Sequence, residues 1–174
     1  MYPGAKSTFR ACVMVKSNGR PQHMKSTRDP AQHRAIRSQA PLRTVLVVED
    51  FAPFRRMICS MLATRAHLQV IGEAADGLAG VQKAQELKPD LILLDIGLPK
   101  IDGLECARQI RLLATPSKII FVSQESSTDV VQEALKLASA YVVKTKITSE
   151  LLAAIETVLA GNAACWDQMV DAAT

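Results

Sequence analysis

Five short apolar runs, TVLVV (44–48), LQVIGEA (68–74), LILL (91–94), KIIFV (118–122) and AYVV (140–143), recur along the chain. Each is about one strand long, and the stretches between them carry helix start signals. Pro53 suits a first helical turn, Asp76 precedes GLAGVQKAQEL, and Asp102-x-x-Glu105 precedes CARQIRLL. Ser126-x-x-Asp129 precedes VVQEALKL, and Thr148-Ser149-Glu150 precedes LLAAIETVL, after which Gly161 supplies a stop. Apolar positions 151, 152, 155, 158 and 159 give that last helix one buried face. The runs at 91–94 and 119–122 are apolar on both faces, as interior parallel strands are. The pattern predicts an α/β domain over residues 44–161: a doubly wound five-stranded parallel sheet with helices on both faces.

Polar residues follow every strand but the second. Glu49 and Asp50 come after the first, Asp95 after the third, Ser123 after the fourth and Lys144 after the fifth. In a doubly wound sheet these positions share one edge, where ligands bind at the reversal of strand order. A lone Asp after a strand is ordinarily a cap or turn residue, and a lone Lys is ordinarily solvated. The joint pattern carries more weight, because independent strand ends supply complementary groups to one edge. Crowded carboxylates repel unless a cation neutralises them, and a hard, oxygen-seeking ion such as Mg²⁺ suits them best.

The formal charge of +4 conceals two opposite halves. Residues 1–43 hold nine Lys or Arg against one acid, Asp29, whereas the remainder holds twelve basic and sixteen acidic residues. The basic arm is rich in Ser, Thr, Pro and Gln and lacks periodicity, so it is expected to be disordered. It reads as a solvated extension, as a contact for nucleic acid or membrane, or as untranslated sequence ahead of Met14 or Met24. Its Arg/Ser-rich composition also resembles an organelle transit peptide, without a convincing amphipathic helix. His23, His33 and His67 lack ligand spacing and are expected in solvent. Cys12, Cys59, Cys106 and Cys165 form no C-x-x-C pair, which fits reduced thiols and argues against a zinc site. No run spans a bilayer and no secretory signal is evident, so a cytoplasmic location is expected.

The motifs VLVVED (45–50), DLILLDIGLPKIDG (90–103), Ser123 and Tyr-Val-Val-Lys (141–144) closely resemble the receiver domain of two-component response regulators, over residues 44 to about 160. The style of the third-strand loop and of AYVVKTKITSELLAAI is most similar to receivers joined to LuxR-like DNA-binding domains. The resemblance implies a flavodoxin-like sheet of order 2-1-3-4-5. It implies Asp95 as phosphoacceptor, with Glu49, Asp50, Asp95 and the Gly97 carbonyl at a Mg²⁺ site. Ser123 and Lys144 are then the groups that contact phosphoryl oxygens, and Ser123 with Tyr141 the switch pair. Implied partners are a sensor histidine kinase or histidine phosphotransfer protein and an unknown output protein. The resemblance makes the domain a phosphoacceptor whose only catalysis is its own phosphorylation and dephosphorylation.

Several positions depart from the family pattern. Thr145 stands where many receivers have a Pro with a cis peptide, Gln124 replaces a small residue, and Ala140 replaces the usual Gly. Gly97 and Glu125 occupy positions that modulate phosphoryl lifetime in the family. Only thirteen residues, 162–174, follow Gly161, too few for a helical DNA-binding domain, so a stand-alone receiver is expected. A homodimer through the fifth helix, or through the face of the fourth and fifth helices, is left open. Two other readings compete. A haloacid-dehalogenase-like phosphatase wants a second Asp two positions after the first, where this chain has Gly97. A degenerate docking receiver would not need its acids, Ser123 and Lys144 intact. Dinucleotide and ATP motifs are absent.

Overall fold

The computed structural model describes residues 41–161. The expectations for the basic arm before residue 41, with His23, His33 and Cys12, and for the tail 162–174, with Cys165, lie outside the described residues. The elements are β1 (Arg43–Val48), α1 (Ala52–Ala63), β2 (Leu68–Ala74), α2 (Gly77–Leu87), β3 (Leu91–Leu94) and α3 (Gly103–Leu112), followed by β4 (Lys118–Ser123), α4 (Thr128–Leu137), β5 (Ala140–Val143) and α5 (Ile147–Leu159). A 3-10 turn, Lys144–Lys146, joins the last two. The sheet is parallel, in the order β2-β1-β3-β4-β5 expected from the resemblance.

The two-residue period of the strands sorts the core into two layers. Val45, Val47, Leu91, Leu93, Ile120, Val122 and Val142 pack with Ile58 and Leu62 of α1 and Leu151, Ile155 and Val158 of α5. Their alternates, among them Leu46, Val48, Ile92, Leu94, Phe121 and Tyr141, pack with Ala84 of α2, Cys106 and Ile110 of α3 and Ala134 of α4. Leu151, Ile155 and Val158 of α5 are buried as the periodicity predicts, while Leu152 and Leu159 are half-buried at the margin and Ile147 and Ala154 join the buried face.

Asp76 caps α2 by accepting from Ala79 N at 2.8 Å, and Asp102 caps α3 by accepting from Glu105 N at 2.7 Å. Gly161 adopts φ +76° after α5, the left-handed stop that glycine takes without steric cost. Gly103 is required by close approach: a Cβ there would overlap the Asp95 carbonyl oxygen, because α3 starts directly against the end of β3.

Five local expectations need correction. Ser123 ends β4 rather than following it. The α4 N-cap is Ser127, with no side-chain cap bond of its own; Glu125 Oε1 accepts from the amides of Ser126 and Ser127, each at 2.9 Å. The helix starts one residue later than expected: Val131 N donates to Ser127 O, so Ser126 lies outside α4, and its amide and that of Ser127 turn to the Glu125 carboxylate. Helix α5 begins at Ile147, so Thr148, Ser149 and Glu150 lie inside its first turn. His67 is not free in solvent: its ring is about three-quarters buried, with Nε2 2.9 Å from Glu156 Oε1 on α5. Arg43, counted with the basic arm by charge, is the first residue of β1.

Candidate functional site: an acidic cleft with a buried lysine

Strand register assembles the site. Val48 of β1 pairs with Leu94 of β3, so Glu49 and Asp95 leave their strands side by side, and Asp95 N donates to Val48 O at 3.0 Å. Ser123 pairs with Val143 at the ends of β4 and β5, and Lys144 follows immediately. Glu49, Asp50, Asp95, Gly97, Ser123 and Lys144 all line one cleft of about 470 Å³. Each expected polar strand end is therefore at the same edge.

The contacts within the cleft are short. Glu49, Asp50 and Asp95 each place a carboxylate oxygen within 4.8 Å of the others. Lys144 Nζ lies 2.7 Å from Asp95 Oδ2 and 2.8 Å from Glu49 Oε2, with only 11% of its side chain exposed. Three carboxylates and one ammonium leave a formal charge of −2. Burial pushes the Glu49 carboxyl above its ordinary pKa, and the Asp95 charge adds to that, while Lys144 opposes it. Burial pulls the Lys144 ammonium down, but its bonds to Asp95 and Glu49 outweigh the effect and leave its pKa raised.

The residues fit a hard cation on a structural observation. Glu49 Oε2 is buried, and the one ammonium beside it, 2.8 Å away, is shared with Asp95 Oδ2. A buried oxygen of this kind beside two further carboxylates is an all-oxygen donor set that a divalent cation satisfies. Gly97 borders Asp95 closely enough that a Cβ on it would stand 3.7 Å from Asp95 Oδ2.

The expected switch pair, Ser123 and Tyr141, is carried by β4 and β5. Ser123 is buried, and its Oγ accepts from Glu125 N at 3.3 Å. Tyr141 is turned inward, 7% exposed, with its ring centroid 6.3 Å from that of Phe121 and its hydroxyl donating to the Glu125 carbonyl at 2.7 Å. Burial, together with the charges of Glu125 and Asp95, raises the Tyr141 phenol. Ser123 and Tyr141 thus meet at Glu125, whose carboxylate also holds the Ser126 and Ser127 amides at the entry to α4. Gln124 is exposed at the cleft rim, and Ala140 is fully buried. At Thr145 the chain turns through the 3-10 segment with no cis peptide among the described residues.

Two contributors were not identified from sequence. Lys144 Nζ lies over the Phe54 ring, 4.7 Å from its centroid, a cation–π contact that adds to the two carboxylates. Arg55 binds the backbone at the end of β1. The signal was Pro53: once it marks the first helical turn, the next residues must fold back over the strand end they have just left.

A family model described as the response regulator receiver domain matches residues 45–156. The chain is 35% identical over 117 residues to the chemotaxis protein CheY of Thermotoga maritima, covering 67% of this chain and 97% of that protein. It is 32% identical over 120 residues to the nitrate/nitrite response regulator NarL of Escherichia coli, covering 68% of this chain and 56% of the relative. The match therefore spans little more than half of that longer protein. Among solved structures, the NarL signal receiver domain from Mycobacterium tuberculosis superposes with a TM-score of 0.67 at 27% identity, covering 70% of this chain and 99% of the other. The response regulator domain of Thermotoga maritima CheB gives 0.64 at 32% identity, with 68% and 97% covered. With sheet order, matched span and similarity to CheY in agreement, the chain belongs to the receiver domain family of two-component response regulators.

Proposed function

We propose that Asp95 accepts a phosphoryl group from a phosphohistidine on a sensor histidine kinase or histidine phosphotransfer protein, and that residues 44–161 act as the receiver unit in cytoplasmic phosphorelay signalling. One observation carries the reading: Lys144 Nζ stands within 2.8 Å of carboxylates from the ends of both β1 and β3, in a cleft that also holds Ser123. In the transfer an Asp95 oxygen attacks phosphorus, the P–N bond breaks, and the donor imidazole leaves with the bonding electron pair. Glu49, Asp50, Asp95 and the Gly97 carbonyl are the groups that would hold Mg²⁺. When bound, the ion supplies charge neutralisation between the carboxylate and the incoming phosphoryl oxygens.

The chain's own residues do the rest. Lys144 moves from Asp95 Oδ2 to a phosphoryl oxygen, and Phe54 keeps it from swinging into water. The Ser123 hydroxyl donates to a second phosphoryl oxygen. Each charge-assisted bond contributes about 1.5–3 kcal/mol. Their sum is comparable with the roughly 5.5 kcal/mol that takes a two-state equilibrium from 1:99 to 99:1. The response passes through Ser123 and Glu125 to Tyr141 and α4, resetting the face of α4, β5 and α5 that an output protein or a second copy reads.

Incubation with Mg²⁺ and acetyl phosphate tests the proposal. The expected product is one hydroxylamine-labile phosphoryl group per chain, absent without Mg²⁺ and absent in Asp95→Asn. Labelling that survives Asp95→Asn would overturn it. Turnover of phosphate esters is expected to be negligible.

A further inference from the structure

Two arginines follow one another in α1. Arg56 is exposed, whereas Arg55 turns back over the end of β1, with only 18% of its side chain exposed. Its Nη1 donates to the Glu49 carbonyl at 2.5 Å and lies 3.4 Å from the Asp50 carbonyl. Its Nε donates to Glu73 Oε2 at 3.0 Å, on β2. One planar guanidinium thus ties the first turn of α1, the two acids that leave β1 and the neighbouring strand.

We propose that Arg55 is a positioning residue for the cation site: anchored on Glu73, it grips the backbone of Glu49 and Asp50 and so aims their carboxylates into the cleft. The inference rests on the Mg²⁺ reading of the proposed function. Its physical basis is the stiffness of the peptide unit. The pairing of β1 with β2 ends at Glu49 N, which donates to Ala74 O at 3.0 Å; beyond it a planar peptide moves as one piece, so fixing the Glu49 carbonyl fixes the plane from which the Asp50 side chain departs. A guanidinium suits this task because its donors are held in a rigid fork, whereas an ammonium on a flexible stem makes no comparable clamp. The bond to Glu73 sets the orientation of the fork, in the way that outer partners orient the ligands of metal sites.

Charge and position predict opposite signs here. Arg55 is a cation beside an acidic cluster, so if it acted through charge alone, its removal would tighten the binding of another cation. If it acts by position, removal loosens Mg²⁺ in spite of the more negative site.

The test is calorimetric titration of the full chain with Mg²⁺ alone, for the unsubstituted protein, Arg55→Lys, Arg55→Met and Glu73→Gln, each also melted without Mg²⁺. Arg55→Lys keeps the charge and is expected to weaken Mg²⁺ binding about tenfold, the lower end of the range for outer-partner substitutions. Arg55→Met is expected to weaken it at least as much. Glu73→Gln, which keeps Arg55 but loosens its anchor, is expected to weaken it about threefold, on the same reasoning at a further remove. Mg²⁺ affinity in Arg55→Lys within a factor of two of the unsubstituted protein, or tighter binding in Arg55→Met, would overturn the inference while leaving the cation site standing. A lower melting temperature with unchanged Mg²⁺ affinity would also overturn it, since that is the mark of a purely structural contact. An unsubstituted protein that does not bind Mg²⁺ would overturn the cation site and this inference together. Should Arg55→Met not fold, Arg55→Lys and Glu73→Gln still decide.

Discussion

Asp90 enters β3 and Asp95 leaves it, four residues of Leu and Ile apart, and their surroundings differ in every respect. Asp90 Oδ2 accepts from the Thr44 amide and the Thr44 hydroxyl, each at 2.8 Å, and Oδ1 faces Arg43 Nη1 at 3.3 Å. The Thr44 amide bond is the largest cause holding the Asp90 carboxyl below the usual range, with the Thr44 hydroxyl and Arg43 adding to it. At the other end, Asp95 is buried beside Glu49 and Asp50, with Lys144 as its ion-pair partner. The first carboxylate is surrounded by donors that favour its charge. The second shares its donor with a neighbour that repels it. Dedicated donors make the first carboxylate part of the fold, whereas in the proposed function the second exchanges its shared ammonium for a phosphoryl group.

The contrast can be broken by substitution, beginning with the largest effect. Asp95→Asn is expected to abolish labelling by acetyl phosphate entirely, while Asp90→Ala labels at the unsubstituted level; equal losses in both would erase the distinction. Asp90→Ala is instead expected to cost about 1–2 kcal/mol in a denaturant melt, because it leaves the Thr44 amide without its acceptor. The pH dependence follows in sign. Since the folded-state pKa of Asp90 lies below its unfolded value of about 3.9, its contribution is whole above about pH 4 and declines as pH falls through the folded-state value. Asp90→Asn should therefore flatten the acid side of the stability profile.

A smaller effect sharpens the other end. Mg²⁺ at ten times its dissociation constant is expected to stabilise the unsubstituted protein by about 1.4 kcal/mol, seen as a rise in melting temperature. Asp50→Asn should remove most of that gain and leave the Asp90 end unchanged. Smallest of all, Tyr141→Phe is expected to lose about 1 kcal/mol through the bond to the Glu125 carbonyl, without loss of labelling. A Tyr141→Phe protein that cannot be labelled would place Tyr141 in the chemistry rather than in the response.

Much of this was legible because its causes are local. Strand runs follow from apolar composition, the caps at Asp76 and Asp102 from side chains that reach amides three residues away, and the edge where Glu49, Asp95, Ser123 and Lys144 gather from the rule that parallel strands end together. The α4 cap was misread for an equally physical reason. Ser126 and Ser127 carry the same side chain, and propensity cannot rank two adjacent serines; the helix begins after the second, and the Glu125 carboxylate holds the amides of both. His67 was placed in solvent because nothing nearby in sequence pairs with it; its partner Glu156 lies on α5, at the far end of the chain.

Sequence alone determined the order of elements, the two-faced interior strands and the inventory of acids, hydroxyl and lysine, since each depends on the periodicity or chemistry of neighbouring residues. Only the tertiary structure decided that Lys144 bridges Glu49 and Asp95 over the face of Phe54, that Arg55 clamps the end of β1 against Glu73, and that Ser123 and Tyr141 meet at Glu125. These contacts join strand ends and helix turns brought together by register and packing, and a side chain's partner across such a gap is set by distance in space rather than by separation along the chain.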